Sequence, residues 1–231
     1  MKILTIIPAR CGSKGIKDKN IIDVCGKPLI SYSIKQALEL KKNLLIDTVI
    51  VSTDCEKIAN ISKELGADVP FIRPKNLASD GSKSIDFMIH AIEYYQNLNI
   101  YFDAVLLLQA TSPLRSFELL CNAIKIFKNS NKDSLISVYK EEYINDLVMY
   151  KNTSEIDLKP LNNKHNKGVR RQEHGSIYVR NGAIYLTQVN YILKHKQIIS
   201  DMPLFIEMKK NNSVNIDTLE DLELLRKIWC K

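Results

Sequence analysis

Three features of the sequence predict an α/β protein with a mostly parallel central sheet and helices on both faces. Short runs such as residues 3–7, 47–53 and 103–108 are apolar at successive positions, as strands buried on both sides require. Between them the apolar residues recur at helical spacing. The runs end in polar, hydroxyl-rich or glycine-containing loops. Such β–α–β alternation places strands side by side with right-handed crossovers.

Each element follows from the same rules. After the strand at 3–7 and a glycine-containing loop, Leu29, Ile30, Tyr32, Ser33, Ile34, Ala37 and Leu38 keep helical spacing, with Pro28 near the first turn. Residues 47–53 form the second buried strand. Asp54 is placed to cap a helix carrying Ile58, Ala59, Ile61 and Leu65 and closed by Gly66. Residues 68–72 read as a third strand, and Arg73-Pro74 opens a loop through Ser82. An amphipathic helix over 84–98, a buried strand over 103–108, a helix over 117–128 and a strand over 134–139 follow.

From Lys140 to about Val179 the periodicity fades, and polar and basic residues dominate. Residues 140–180 read as an arm inserted in a single domain spanning 1–231. A solvated loop and a dimer arm both fit that composition. Residues 181–186 then resume the sheet, 204–208 read as an edge strand and 213–217 as another short strand. Thr218 with Asp221 at the third helical position is close to a capping box. The last helix carries Leu219, Leu222, Leu225, Ile228 and Trp229 on its apolar stripe.

Composition narrows the function classes. The 231 residues, 45% of them hydrophobic, suffice for a full core. The net charge of +7 is compatible with nucleic acid, an acidic membrane surface or an anionic small substrate. The lysines are scattered, and no basic block with interleaved aromatics marks a nucleic-acid surface. No apolar run is long enough for a membrane span or a secretion signal, so the reading is a soluble cytoplasmic protein without a membrane partner. The cysteines at 11, 25, 55, 121 and 230 show no C-x-x-C spacing and read as reduced thiols, with no zinc site. His90, His165 and His174 carry no metal pattern, and Ser112 and Ser137 have no recognisable His/Asp partners.

Chemistry concentrates in residues 8–20, Pro-Ala-Arg-Cys-Gly-Ser-Lys-Gly-Ile-Lys-Asp-Lys-Asn. A buried strand breaking into a loop with Gly12, Gly15, Arg10, Lys14, Lys17 and Lys19 suits phosphate oxygens. The loop is neither G-x-x-x-x-G-K-S/T nor G-x-G-x-x-G. On charge alone a solvated basic turn fits as well; position directly after a buried strand favours a nucleotide loop. Three further segments, 73–84, 109–115 and 215–217, fall on the same edge of the sheet. They add hydroxyls, amides and a carboxylate, a set fitting a nucleoside triphosphate with Mg²⁺.

Pro8-Ala-Arg-x-Gly-Ser-Lys-Gly with Lys19-Asn20, Ser52-Thr-Asp54, Arg73-Pro74 with Leu77-Ala78-x-Asp80, Gln109-x-Thr-Ser-Pro-Leu-Arg115, Arg171-Gln172, Asn181-Gly-Ala-Ile-Tyr185 and Ile216-Asp217-Thr-x-x-Asp221 occur in order through nearly the whole chain. This series resembles the CMP-sialic acid synthetases, or acylneuraminate cytidylyltransferases, including relatives that act on legionaminic acid. The resemblance implies a Rossmann-like nucleotidyltransferase fold. It implies a reaction in which CTP and a nine-carbon 2-keto-3-deoxy acid sugar give CMP-sugar and pyrophosphate.

It further implies that Arg10, Ser13, Lys14, Lys19 and Asn20 hold triphosphate and ribose, and that Arg73, Ser82 and Ser84 contact the nucleotide, with cytosine near Ser82. Gln109, Arg171, Gln172, Asn181 and Tyr185 match positions on the sugar side. Lys14, Arg171 and Asp217 match the catalytic positions, Asp217 with Asn215 would ligate Mg²⁺, and the arm would pair two copies as a homodimer. Two departures stand out: Asn215 replaces a common aspartate, and Val179 stands where some relatives have arginine. A nucleotidyltransferase for another sugar and a non-catalytic nucleotide-binding regulator remain alternatives. Lys14→Ala is expected to nearly abolish pyrophosphate release while the melting temperature stays near wild type; near-normal turnover would remove Lys14 from the phosphate loop.

Overall fold

The computed structural model describes residues 1–13, 15–167 and 175–230. Its first strand, β1 (Ile3–Pro8), is sealed on both sides: Ile3 and Ile7 join one apolar cluster, Leu4 and Ile6 another, all 0% exposed. The chain then runs through the short hairpin β2 (Asp23–Val24) and β3 (Lys27–Pro28), α1 (Leu29–Lys42), β4 (Thr48–Ser52), α2 (Glu56–Glu64), α3 (Ser84–Asn97) and β5 (Ala104–Leu107). After α4 (Phe117–Lys128) and β6 (Ser134–Glu141) come a separate two-stranded hairpin of β7 (Tyr150–Asn152) and β8 (Leu158–Pro160), then β9 (Ile177–Gln188), α5 (Val189–His195), β10 (Leu204–Glu207) and α6 (Leu219–Trp229).

Six of these strands form one sheet in the order β10-β6-β9-β5-β1-β4. β4, β1 and β5 are mutually parallel, as are β6 and β10, while β9 runs antiparallel between β5 and β6. On β5, Ala104 and Leu106 face the cluster that includes residues of α1, α2 and α4, and Val105 and Leu107 face residues of α3 and α5. That alternation of destination, with no alternation of polarity, explains the unbroken apolar runs. Each fully buried Ile or Leu contributes on the order of 1.5–3 kcal/mol. A third cluster, with Ile16, Val24, Leu29, Leu114, Ile216, Leu222 and Leu225, seats α6 over the loops at one edge. Among the described residues no helix is long and apolar enough to cross a membrane.

The structure corrects several sequence readings. Residues 68–72 form no strand; only isolated bridges join Asp68 to Ile50 and Ile72 to Thr53. Residues 213–217 are irregular, because their backbone groups serve loop contacts such as Ile216 N–H to the Thr111 carbonyl at 2.9 Å. Asp54 does not cap α2, whose N-cap is Cys55. Four cysteines are paired, Cys11 with Cys55 and Cys25 with Cys230, at Cα separations of 5.6 and 5.3 Å. The expectation of reduced thiols rested on local spacing, which says nothing of partners brought together across the fold. Cys121 is free.

Glu141 is the last residue of β6. Its Oε1 accepts the backbone N–H groups of Glu142 and Tyr143 at 3.0 Å and of Ile144 at 3.4 Å, and Oε2 meets Lys210 Nζ at 2.8 Å. The bond from Lys210, helped by the backbone N–H groups, pulls this carboxyl down to about 2. A depressed folded-state pKa adds stability above the unfolded value, and that stability is lost as pH falls from the ordinary carboxylate range toward about 2. Glu141→Gln is therefore expected to lower the melting temperature at pH 7 by roughly 2–4 °C. The gap should close as thermal scans by circular dichroism move toward pH 2–3; a gap unchanged in acid would mean that the charge is not what holds the turn after β6.

Candidate active site

β4, β1 and β5 run in one direction, so the loops that follow them, at 53–55, 9–18 and 108–116, open on the same edge of the sheet. There they enclose a cleft of about 500 Å³, within the usual range of small-ligand sites. Arg10, Ser13, Gly15, Lys19 and Asn20 line it from the first loop, and Arg73, Asp80, Ser82, Ser84 and Phe87 from the segment 73–87. Gln109 and Thr111 line it from the end of β5, and Asn215 and Asp217 close it.

The first loop is held by its own polar groups. Gly12 has φ of +66°, a left-handed conformation that glycine adopts without strain. The Asn20 side-chain amide donates to the Arg10 carbonyl at 3.0 Å, and the Cys11 N–H donates to Asp54 Oδ1 at 2.9 Å. Asp54 thus ties the loop to the end of β4, which is why it is unavailable to α2. Gly15 is required by approach: a Cβ there would fall onto the backbone carbonyl oxygen of Asp217.

Carboxylates meet the cations of this cleft. Arg10 Nη2 pairs with Asp80 Oδ1 at 2.8 Å, and Lys19 Nζ pairs with Asp217 Oδ1 at 2.8 Å. Arg73 is 4% exposed; its Nη2 donates to the Ser52 carbonyl and its guanidinium lies 4.8 Å from the centre of the Phe87 ring. Burial brings its pKa down to about 10, against the pull of Asp54, so it stays cationic at neutral pH. The Ser82 hydroxyl donates to the Asn76 carbonyl and shares a hydrogen bond with Ser79, both at 2.8 Å.

Asp217 is turned outward, its side chain 63% exposed. Asn215 donates its amide to Asp217 Oδ2 at 2.5 Å, while its own Oδ1 accepts from the Ser112 hydroxyl at 3.3 Å. Behind them the backbone N–H groups of Asp217 and Thr218 bond Asp221 Oδ2 at 3.0 and 2.8 Å, completing the capping box. Among the described residues no group of three or more His, Cys, Asp or Glu is arranged as a metal cage. Asn215 meets the outward Asp217 carboxylate with its amide N–H and turns its carbonyl to Ser112, so the pair presents one hard-oxygen carboxylate, which suits a hard cation that takes most of its ligands from substrate and water.

The cleft therefore gathers Arg10, Ser13, Lys19, Asn20, Arg73, Ser82, Ser84, Gln109, Asn215 and Asp217. Asn181 and Tyr185 do not line it: the buried Asn181 side chain bonds Ser137 and Ser213 at 2.6 and 2.8 Å, and Tyr185 packs against the α3–α5 cluster. Lys14, Arg171 and Gln172 lie outside the described residues. Asp80 and Thr111 were assigned no role from sequence, although both stand inside the motifs quoted above. Gly15→Ala is expected to weaken CTP affinity at least about tenfold in calorimetry, since loop and Asp217 must part; unchanged affinity would mean that their contact does not shape the cleft.

Comparison with known proteins agrees with this geometry. The cytidylyltransferase family model matches residues 4–230. The pseudaminic acid cytidylyltransferase of Campylobacter jejuni is 36% identical over 229 residues, covering 99% of this chain and 97% of that protein. The CMP-N,N'-diacetyllegionaminic acid synthase of Legionella pneumophila is 32% identical, with 99% and 96% covered. The N-acylneuraminate cytidylyltransferase of Escherichia coli is 33% identical over 96% of this chain but only 51% of its own length. In fold, the chain resembles a CMP:2-keto-3-deoxy-manno-octonic acid synthetase complexed with CTP, at TM-score 0.71 and 17% identity, covering 100% of this chain and 99% of that one. It also resembles 4-diphosphocytidyl-2C-methyl-D-erythritol synthase from Anaerococcus prevotii, at TM-score 0.68 and 14% identity, with 100% and 99% covered. The chain belongs to the cytidylyltransferase family of nucleotidyltransferases.

Proposed function

We propose that the protein activates a nine-carbon 2-keto-3-deoxy acid sugar with CTP, giving the CMP-sugar and pyrophosphate. The observation that carries this reading is one cleft lined by Arg10, Lys19 and Arg73 together with an outward carboxylate, Asp217, that Lys19 holds at 2.8 Å. Relatives named for pseudaminic, diacetyllegionaminic and acylneuraminic acids, each 32–36% identical over nearly the whole chain, support the class of acid.

The C2 hydroxyl of the sugar attacks the α-phosphorus of CTP, the bond to the β-phosphate oxygen breaks, and the hydroxyl proton is lost to solvent. Such chemistry asks for positioning and charge neutralisation more than for covalent help. Arg10, Lys14 and Lys19 neutralise the leaving pyrophosphate, with Lys19 exchanging Asp217 for a phosphate oxygen and Arg10 exchanging Asp80. Ser13 and Asn20 bond triphosphate and ribose, and Arg73, Ser82 and Ser84 hold the nucleotide. Gln109, Arg171 and Gln172 receive the sugar acid, with Asn181 and Tyr185 on the strand beside them. Asp217 would hold Mg²⁺, joined by the Asn215 carbonyl once its amide turns from Ser112, and the ion would offset phosphate charge. Release of Lys19 frees the Asp217 carboxylate for that role.

The arm supports pairing of two copies: Tyr143, Ile144, Val148, Ile156 and Leu158 are all exposed apolar side chains. The protein would work in the cytoplasm, where CTP is made. Pyrophosphate release is expected with CTP, and not with ATP, GTP or UTP, when Mg²⁺ and pseudaminate, legionaminate or N-acetylneuraminate are present. Asp217→Ala should lower the rate and shift the magnesium titration together. Release with no acid would overturn the reading, and an unshifted titration would remove Asp217 as a ligand.

A further inference from the structure

Arg115 carries its charge into the interior without a carboxylate partner among the described residues. The residue is 4% exposed, and burial alone draws its pKa down to about 9, leaving it cationic at neutral pH. Its donors meet neutral oxygens instead. Nε bonds Gln36 Oε1 at 3.0 Å, Nη2 bonds the Ser33 hydroxyl at 2.5 Å, and Nη1 reaches both the Gln109 carbonyl at 2.9 Å and the Ala183 carbonyl at 3.0 Å. The Ser33 hydroxyl also donates to the Gln109 carbonyl at 3.3 Å. Gln36 returns its amide to the carbonyls of Pro113 and Arg115 at 2.9 and 2.7 Å.

The place of the two Nη1 bonds is informative. The β5–β9 ladder ends at the pair Leu107 and Tyr185. Gln109 and Ala183 are the residues two steps further along each strand, so a guanidinium spans the strands where their own rungs stop. The sheet opens there, and Gln109 lines the cleft. A methionine of similar length would fill the volume without the cost of burying charge. It would leave the buried Ala183 carbonyl without this donor and the Gln109 carbonyl with only the longer bond from Ser33, and nothing would set the width of the gap. Arg10 and Arg73, by contrast, enter the cleft beyond β1 and β4, on the other side of β5 in the strand order.

We propose that Arg115 is a positioning residue for the second substrate. It fixes the opening between β5 and β9 and presents Gln109 to the acid sugar, leaving the nucleotide side untouched. This rests on the functional reading above, and the test separates the two. Wild type, Arg115→Lys, Ser33→Ala and the double variant are compared by pyrophosphate release with CTP and whichever of pseudaminate, legionaminate or N-acetylneuraminate the wild type accepts. CTP dissociation constants and melting temperatures are measured alongside.

Arg115→Lys keeps the charge but not the fork. It is expected to lower kcat/KM for the acid about 100-fold, as displaced positioning groups do. CTP affinity should stay within about threefold, since the nucleotide side is untouched. Ser33→Ala should cost about fivefold on the same constant and nothing further in the double variant, because both act through one clamp. If Arg115→Lys does not fold, Ser33→Ala carries the test through its loss for the acid at constant CTP affinity. Variants that lose CTP affinity in proportion, or that lose melting temperature with unchanged kinetics, overturn the proposal. A wild type silent with every acid overturns the functional reading, and this inference with it.

Discussion

The site depends on one close approach, that of Gly15 in the first loop to the carbonyl of Asp217 some two hundred residues later. The ion pair above it, Lys19 to Asp217, is too exposed on the carboxylate side to hold the two segments: such pairs contribute about 0–1 kcal/mol. The work falls to the cluster beneath, where Ile16 from the loop packs with Ile216, Leu222 and Leu225. Several side chains of that size, each worth on the order of 1.5–3 kcal/mol when buried, outweigh the surface pair. The Cys25–Cys230 link joins the end of α6 to the same region.

With that junction in place, charge is distributed in two ways. Arg10 and Lys19 stand in the cleft and meet Asp80 and Asp217, so ligand phosphate would exchange one anionic partner for another without burying a bare charge. Arg73 and Arg115 are buried and use carbonyl oxygens instead. A buried guanidinium among neutral acceptors costs desolvation, visible in the lowered pKa of both. Arg73 holds the carbonyl of Ser52, the last residue of β4, and Arg115 that of Gln109, two residues past the end of β5.

The parallel part of the sheet was legible because β1, β4 and β5 are buried on both faces and read as unbroken apolar runs. α4 was placed at its observed bounds, and the Thr218 capping box was read from spacing alone. Residues 68–72 misled because an extended, partly apolar segment can run beside a strand and make only single bridges. Residues 213–217 misled for a related reason, their N–H groups being spent on the Thr111 carbonyl and the Asp221 carboxylate. Asp54 looked like a helix cap because capping is a local pattern, while its partner, Cys11, comes from another loop.

What the sequence determined by itself was the set of chemical groups and their attachment to strand ends. Unbroken apolar runs and loop chemistry act over a few residues, and such short-range causes leave a readable trace. That placed Arg10, Ser13, Lys19, Asn20, Arg73, Ser82, Ser84, Gln109 and Asp217 on one edge of the sheet. The tertiary structure alone decided the antiparallel direction of β9, the inward turn of Asn181, the pairing of Cys11 with Cys55, and the clamp made by Arg115. Each of these is a contact between residues far apart in the chain. Its energy depends on a distance, and no local pattern encodes that distance.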